Sequence, residues 1–371
     1  MACVLVLGSF AESLITFRGA MMQAMVEAGH QVFACAPNAP KATRNALQKI
    51  GVVYQDIDID RTGIKPLHDL RSIIRMVKVF KKIKPDVFFG YTIKPVIYGS
   101  IAARVAGVPA IYSMISGLGY AFSKTSFRSR VVGIIAQRLY GFALNFNKKV
   151  FFQNPDNMHL FLQMGLLKGQ EKTVLVNGSG VNINFFQATS FPPSLSFLLI
   201  ARLLKDKGIY EYVEAARIIK QTHPEVKFRL VGFIDNNPSA ISEQDLNGWV
   251  EEGIIEFLGY LHDVRPAIED SSVYVLPSYH EGTPHSVLQA MAMGRPIITT
   301  DTSGCRETVN DGENGFLIPV KEVPALVESI EQFIRQPVLI ESMGLASRRI
   351  AEQKYDVDKV NAVILKTMAL I

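Results

Sequence analysis

Two runs of the same alternation, apolar strand then amphipathic helix, constrain this chain more than anything else in it. The first opens with residues 3–7, a continuous apolar run that stops at Gly8-Ser9. A helix over 17–28 follows, closed by Gly29, and 31–36 is the next strand. Strands that are apolar throughout are buried on both faces, the habit of a parallel sheet covered by helices. The pattern continues through helix 41–50, strand 52–59, helix 67–82, strand 86–90, helix 95–106 and strand 110–115. One or two helices over 126–144, strand 150–153 and strand 174–176 complete it. After a linker-like break at Phe191-Pro-Pro-Ser194 the alternation restarts with strand 196–201 and helix 209–221. Strand 227–231, helix 242–251, strand 255–257, helix 264–270, strands 273–276, 297–300 and 316–318 and helices from Val323 complete the second run. The spacing predicts two Rossmann-like, doubly wound α/β domains, residues 1–182 and 183–354.

Ligands in such sheets bind beyond the carboxyl ends of the strands. The loops there are therefore the candidates. Tyr274-Val-Leu-Pro-Ser-Tyr-His-Glu-Gly-Thr-Pro284 reads as a strand, a polar turn and a helix opened by Thr283 at the N-cap and Pro284 at the first helical position. Gly294 ends that helix. The free N–H groups around Thr283–Val287 suit phosphate oxygens, and the Glu281 carboxylate beside them can accept hydrogen bonds from a sugar. A surface acid on an ordinary strand–helix turn is the alternative. Arg202-Leu-Leu-Lys-Asp-Lys207-Gly208 follows the strand 196–201; a guanidinium fork and an ammonium there suit a diphosphate. Gly232 after strand 227–231 allows close backbone approach.

These residues carry a resemblance. Glu281-Gly-Thr-Pro-His-Ser-Val-Leu-Gln289 resembles the E-x7-E segment of family-4 retaining glycosyltransferases, with Gln289 in place of the second acid. Arg202 and Lys207 resemble the R-x4-K pair of that family, and Glu27-Ala-Gly-His-Gln-Val32 its early "AGH-V" turn, in which His30 reads as a helix-end residue. The resemblance implies the GT-B architecture, two such domains facing a cleft, with helix 355–371 returning to the first. It implies that Glu281, Arg202 and Lys207 are the catalytic set. Glu281 binds the sugar, and the cations neutralise a departing nucleoside diphosphate, without a metal or other cofactor. Gly8, Gly232, Leu261, Gly282, Thr283, Pro284, His285, Ser286, Val287 and Gln289 are the implied donor contacts. Leu261 lies in the base-binding turn and Gln289 is a weakened ribose ligand. Asp235–Ser239 resembles a bacterial subgroup acting on undecaprenyl-diphospho-sugars, such as N-acetylgalactosaminyltransferases. The donor expected is a UDP-sugar and the acceptor a polyprenyl-diphosphate-linked saccharide. A two-lobed nucleotide-sugar epimerase and a silent nucleotide-sugar-binding subunit are the alternatives.

On the acceptor side, Ser13, Thr16, Arg18, Lys94, Ser116, Gly117 and Gly119 lie at strand ends of the first half, with Arg18 and Lys94 assigned to the acceptor diphosphate or else to structural ion pairs. Many family members have a histidine near Ser116, and this chain does not. Residues 1–180 carry 22 Lys and Arg against 9 Asp and Glu, whereas 181–371 carry 17 against 25. The basic helix 70–84 and the stretch 120–149 suit an anionic membrane surface, or else are ordinary core helices with solvated basic faces. In that second stretch Phe122, Phe127, Tyr140, Phe142 and Phe146 interleave with Lys124, Arg128, Arg130, Arg138, Lys148 and Lys149. No nucleic-acid motif accompanies them. Cys3, Cys35 and Cys305 make neither a disulfide framework nor a zinc pattern. Asp56-Ile-Asp-Ile-Asp60 has the D-x-D form of metal sites, but its alternation reads as a strand face. No apolar run is long enough to span a bilayer. A cytoplasmic protein held peripherally at the membrane is the expectation.

Overall fold

The computed structural model describes residues 1–59, 66–117, 127–234, 237 and 239–371, with the backbone alone for Pro66 and 127–132. It divides into two compact units, Met1–Ser179 with Val357–Ile371, and Gly180–Asp356. In the first unit the strands are β1 (Cys3–Leu7), β2 (Gln31–Ala36), β3 (Val53–Asp56), β4 (Val87–Tyr91), β5 (Ala110–Ile115), β6 (Lys149–Phe152) and β7 (Thr173–Leu175). They form one sheet in the order β3-β2-β1-β4-β5-β6-β7, and every pair is parallel. Its helices are α1 (Glu12–Thr16), α2 (Gly19–Glu27), α3 (Lys41–Lys49), α4 (Pro66–Ile83), α5 (Ser100–Ala106), α6 (Phe127–Leu144) and α7 (Pro155–Gln163).

The second unit holds strands β8 (Ser196–Ile200), β9 (Lys227–Val231), β10 (Glu256–Phe257), β11 (Val273–Leu276), β12 (Ile297–Thr300) and β13 (Gly315–Ile318). Their order is β10-β9-β8-β11-β12-β13, again all parallel. Helices α8 (Ile209–Thr222), α9 (Glu243–Glu251), α10 (Arg265–Glu269), α11 (His285–Ala292), α12 (Val323–Arg335) and α13 (Val338–Ile350) cover it. In each unit the two faces of the sheet bury separate cores. That explains the unbroken apolar strands, since a residue pointing either way meets a helix.

The final helix α14 (Val357–Thr367) belongs to the first unit. Val360, Ile364, Leu365 and Met368 join the core beside α2. His30, just past α2, bonds the Leu370 carbonyl through Nε2 at 2.6 Å and accepts the Ala2 N–H at Nδ1.

Several local expectations change. The helix expected over 17–28 is α2, Gly19–Glu27, and a single-turn helix, α1, precedes it where no helix is expected. The helix expected over 95–106 starts as a wider π turn, Pro95–Gly99. Helix α7 was not expected; Asn154 caps it by accepting the Asn157 N–H at 2.8 Å, with Pro155 in its first turn. The break at 191–194 is no free linker. Arg295, fully buried, donates to the Thr189 and Ser190 carbonyls at 2.9 Å each, and its guanidinium stacks 4.7 Å from the Phe191 ring. Those bonds fasten the segment to the second unit, and the chain passes between units at Ser179–Gly180.

Candidate active site

In an open parallel sheet the crevice for ligand forms where neighbouring strands lead their connections in opposite directions. In the second sheet that point lies between β8 and β11, because the chain winds β8-β9-β10 one way and β11-β12-β13 the other. Arg202 and Lys207 follow β8, and Glu281 follows β11. The fold therefore brings Lys207 and Glu281 together from positions 74 residues apart, with Arg202 on the loop that leads to Lys207. Lys207 Nζ donates to Glu281 Oε1 at 2.6 Å, with both side chains mostly buried.

The turn that carries Glu281 is tied down on both sides. Towards β8, the Asp206 carbonyl accepts the Tyr279 N–H at 2.9 Å and the Ser278 hydroxyl at 3.1 Å. Tyr279 also donates its hydroxyl to Glu211 at 2.7 Å. Towards β12, Thr299 donates to the Leu276 carbonyl at 2.7 Å, Thr300 to Ser278, and Thr302 to the Tyr279 carbonyl at 3.0 Å. The Glu281 N–H bonds the Ser303 carbonyl at 2.9 Å. Reading the sequence did not find this threonine row. Its signal is the run Thr299-Thr-Asp-Thr-Ser303 at the carboxyl end of a buried strand, where hydroxyls have few partners other than the next loop.

Two glycines make the closeness possible. Gly208 has φ +71° and Gly304 φ +80°, a region L side chains rarely adopt. A Cβ at Gly208 would collide with the Pro277 carbonyl, and one at Gly304 with the Glu281 and Gly282 carbonyls. Gly208→Ala is thus expected to destabilise the second unit by roughly 1–3 kcal/mol and to displace the 277–281 turn, lowering activity with it. A thermal midpoint equal to that of the wild type would remove this account of the turn.

The other second-unit positions expected to contact a donor lie on loops that follow β9, β10 and β11. Gly232 packs against Ala201, whose carbonyl would meet any Cβ there, and its N–H bonds the Gly259 carbonyl at 2.9 Å. That links the Leu261 turn to the Arg202 loop. Helix α11 begins at His285, and Pro284 occupies the cap position in extended conformation, so Thr283 is not the N-cap. Gly282, Pro284 and Val287 are buried, whereas Thr283, His285, Ser286 and Gln289 are half-buried. Tyr274, beneath α11, donates its hydroxyl to the Ile200 carbonyl at 3.0 Å.

The first sheet has its own switch point between β1 and β4. Gly8 packs against Tyr91 so closely that a Cβ would strike the phenol oxygen. Ser9 and Thr92 share a hydrogen bond of 2.9 Å between hydroxyls, and Ser13 bonds Tyr91 Oη at 2.8 Å. Thr92 is held at φ +69°, a conformation that costs roughly 1–3 kcal/mol for a non-glycine residue. Arg18 is buried, with its guanidinium 5.1 Å from the Tyr91 ring centroid and Nη2 on Met114 Sδ at 2.6 Å. Burial lowers its pKa to about 10, and its Nε has no hydrogen-bond partner among the described residues.

Lys94 is different. Its ammonium lies 2.7 Å from Asp69 Oδ1 with both groups buried, the structural pairing that was the alternative for this residue. A buried cation needs such a partner. Thr16 is exposed and bonds the Glu12 carbonyl within α1. Ser116 and Gly117 are half-buried at the end of β5, and Gly119 lies outside the described residues.

Elsewhere, Asp56 accepts the Asn38 N–H and the Tyr54 hydroxyl, each at 2.8 Å, and Asp58 pairs with Arg75. Asp60, Asp235, Phe122 and Lys124 lie outside the described residues, as do the side chains of Phe127, Arg128 and Arg130. Tyr140 does not belong to a membrane-facing row: it is buried, edge-on to Phe161. Phe146 packs on the core, whereas Ile134, Ile135 and Phe142 of α6 are exposed. On α4, Leu67, Leu70 and Ile74 are exposed among the basic residues. Among the described residues no helix is long and apolar enough to cross a membrane.

With this geometry in place, comparison with known proteins is informative. Residues 4–154 match the family model described as glycosyl transferase 4-like, and residues 194–336 the one described as glycosyl transferases group 1. The chain is 26% identical over 341 residues to N,N'-diacetylbacillosaminyl-diphospho-undecaprenol alpha-1,3-N-acetylgalactosaminyltransferase of Campylobacter jejuni, covering 88% of each chain. It is 26% identical over 293 residues to the Escherichia coli UDP-Gal:alpha-D-GlcNAc-diphosphoundecaprenol alpha-1,3-galactosyltransferase, covering 75% of this chain and 73% of that one. Among solved structures, Anabaena Alr3699/HepE in complex with UDP and glucose superposes with a TM-score of 0.77 at 19% identity over all of both chains. Sucrose-phosphate synthase from Thermosynechococcus elongatus gives 0.82 at 17% identity, over 100% of this chain and 98% of that one. At those identities the two structures speak for the fold alone, and it is the GT-B fold.

Proposed function

We propose that this chain, which belongs to the glycosyl transferases of group 1 with a 4-like first half, moves a hexose or N-acetylhexosamine, GalNAc or GlcNAc, from a UDP-sugar to a saccharide carried on polyprenyl diphosphate. That it is a glycosyltransferase rests on both family matches. The observation that carries the finer reading is the Lys207–Glu281 contact at the β8/β11 switch point, with Arg202 on the same loop as Lys207. The named relatives act on undecaprenyl-diphosphate sugars, which supports the acceptor class.

In this reading the transfer retains configuration. The bond between the anomeric carbon and the β-phosphate oxygen breaks, the acceptor hydroxyl oxygen bonds the same face, and its proton passes to the departing phosphate. Charge develops on that phosphate, and preformed cations aimed at it are the main catalytic contribution. Arg202 and Lys207 take that part, and no metal ion is assigned. Glu281 holds Lys207 in position and accepts hydroxyls of the donor sugar. Gln289 faces the ribose; a neutral amide binds a diol less firmly than a carboxylate, by about 1 kcal/mol. Gln289→Glu should accordingly tighten UDP several-fold in calorimetry, and an unchanged affinity would remove the ribose role.

The first unit takes the acceptor and, through α4 and the exposed residues of α6, rests on an anionic membrane surface. Each cation near such a surface contributes roughly 1 kcal/mol. Sedimentation with phosphatidylglycerol vesicles should fall as salt rises; equal binding to neutral vesicles would argue against it. The test of the whole reading is incubation of purified protein with radiolabelled UDP-sugars, EDTA and polyprenyl-diphosphate saccharides. One donor should label the lipid fraction only when acceptor is present. Donor consumed equally without acceptor would overturn it.

A further inference from the structure

We propose that the hydroxyl pair of Ser9 and Thr92, at the switch point of the first sheet, binds an anionic oxygen of the acceptor's diphosphate, and that Thr92 sets where the acceptor lies. The inference deepens the acceptor side of the reading above and rests on it.

The backbone at Thr92 is strained, with φ +69°. Among the described residues, the non-glycine positions at positive φ are Asn38, Lys84, Thr92, Lys321 and Ala369. Thr92 alone of these is β-branched, the class for which this region is a true outlier. Glycine would adopt the same turn without penalty, and the backbone bond that shapes it, Val96 N–H to the Thr92 carbonyl at 3.0 Å, asks nothing of the side chain. Strain of this kind persists where a site uses it.

Two hydroxyls joined by one hydrogen bond of 2.9 Å use one of their two hydrogens, and the other is left to donate. Ser9 is buried and Thr92 half-buried, so Thr92 is the member open to a ligand.

Charge decides which ligand. Around the pair, Lys94 is neutralised by Asp69, but Arg18 has no carboxylate in contact among the described residues and has a buried Nε with no partner. It is buried with its guanidinium 5.1 Å from the ring of Tyr91, the residue before Thr92, and brings a positive charge that no described carboxylate contacts. That favours an anion over a neutral hydroxyl at Thr92. A diphosphate oxygen meets both demands.

Thr92→Val keeps the shape and removes the hydroxyl, Thr92→Gly removes hydroxyl and strain together, and Thr92→Ser keeps the hydroxyl. The probe is farnesyl diphosphate, titrated calorimetrically into the full chain with UDP saturating, so that the nucleotide site is occupied. Both hydroxyl-less variants should bind it about tenfold more weakly, the size of a lost hydrogen bond to a charged group, with Thr92→Ser within about twofold of the wild type. KM for the lipid-linked saccharide should move with it, and KM for the UDP-sugar should not. Unchanged farnesyl diphosphate affinity in Thr92→Val and Thr92→Gly would overturn the inference, whatever happens to their thermal midpoints. So would a wild type that does not bind the probe. Binding that behaves as stated in a protein that transfers no sugar would instead sink the function proposed above.

Discussion

Lys207→Ala should lower kcat by about 100- to 1000-fold, the usual effect of removing one preformed donor from a developing oxyanion. KM for the UDP-sugar should rise only several-fold, because in the proposed reading the ground-state diphosphate keeps Arg202 and the helix α11 end. Lys207→Arg is not a conservative rescue. A guanidinium is longer and planar, and the ammonium sits 2.6 Å from Glu281 in a mostly buried position. Steady-state kinetics with the lipid acceptor decide the matter. A kcat within about threefold of the wild type would show that the leaving diphosphate is stabilised elsewhere.

Glu281→Ala should reduce kcat/KM by about 100-fold or more while the protein stays folded, since the turn is held by its backbone and by the threonine row rather than by the carboxylate. Two losses combine in that number: hydrogen bonds to the sugar, and the anchor that fixes Lys207. Glu281→Gln separates them, for an amide still accepts a sugar hydroxyl but no longer neutralises the ammonium. Residues in contact do not act independently. The Lys207→Ala, Glu281→Ala double variant should therefore be much less impaired than the product of the single effects. Full multiplicativity in that cycle, or wild-type turnover in Glu281→Ala, would detach the carboxylate from the reaction.

The elements most legible in the sequence are those buried on both faces. Ala110–Ile115, Val273–Leu276 and Ile297–Thr300 stand where the apolar runs put them. Helix α7 was missed although Asn154-Pro155 is a regular opening, because Asp156, Asn157, His159 and Gln163 dilute its apolar stripe. Helix α1 is a single turn and leaves no periodicity to detect. For the site, residue type and loop position were readable, but partnership was not. Glu281 meets Lys207, and Lys94 meets Asp69, only because the strand order brings distant loops together. Nor does a letter T disclose a positive φ: the strain at Thr92 depends on how β4 turns into the next helix.

The helix α14 has a consequence for how the chain is made. Its side chains fill a core whose other walls, β1, β2 and α2, leave the ribosome long before it. Between the two events the whole Gly180–Asp356 unit is synthesised and is free to fold on its own contacts. The half that emerges first is therefore finished last, with a greasy patch beside α2 left uncovered until α14 and the Leu370 carbonyl reach it and His30.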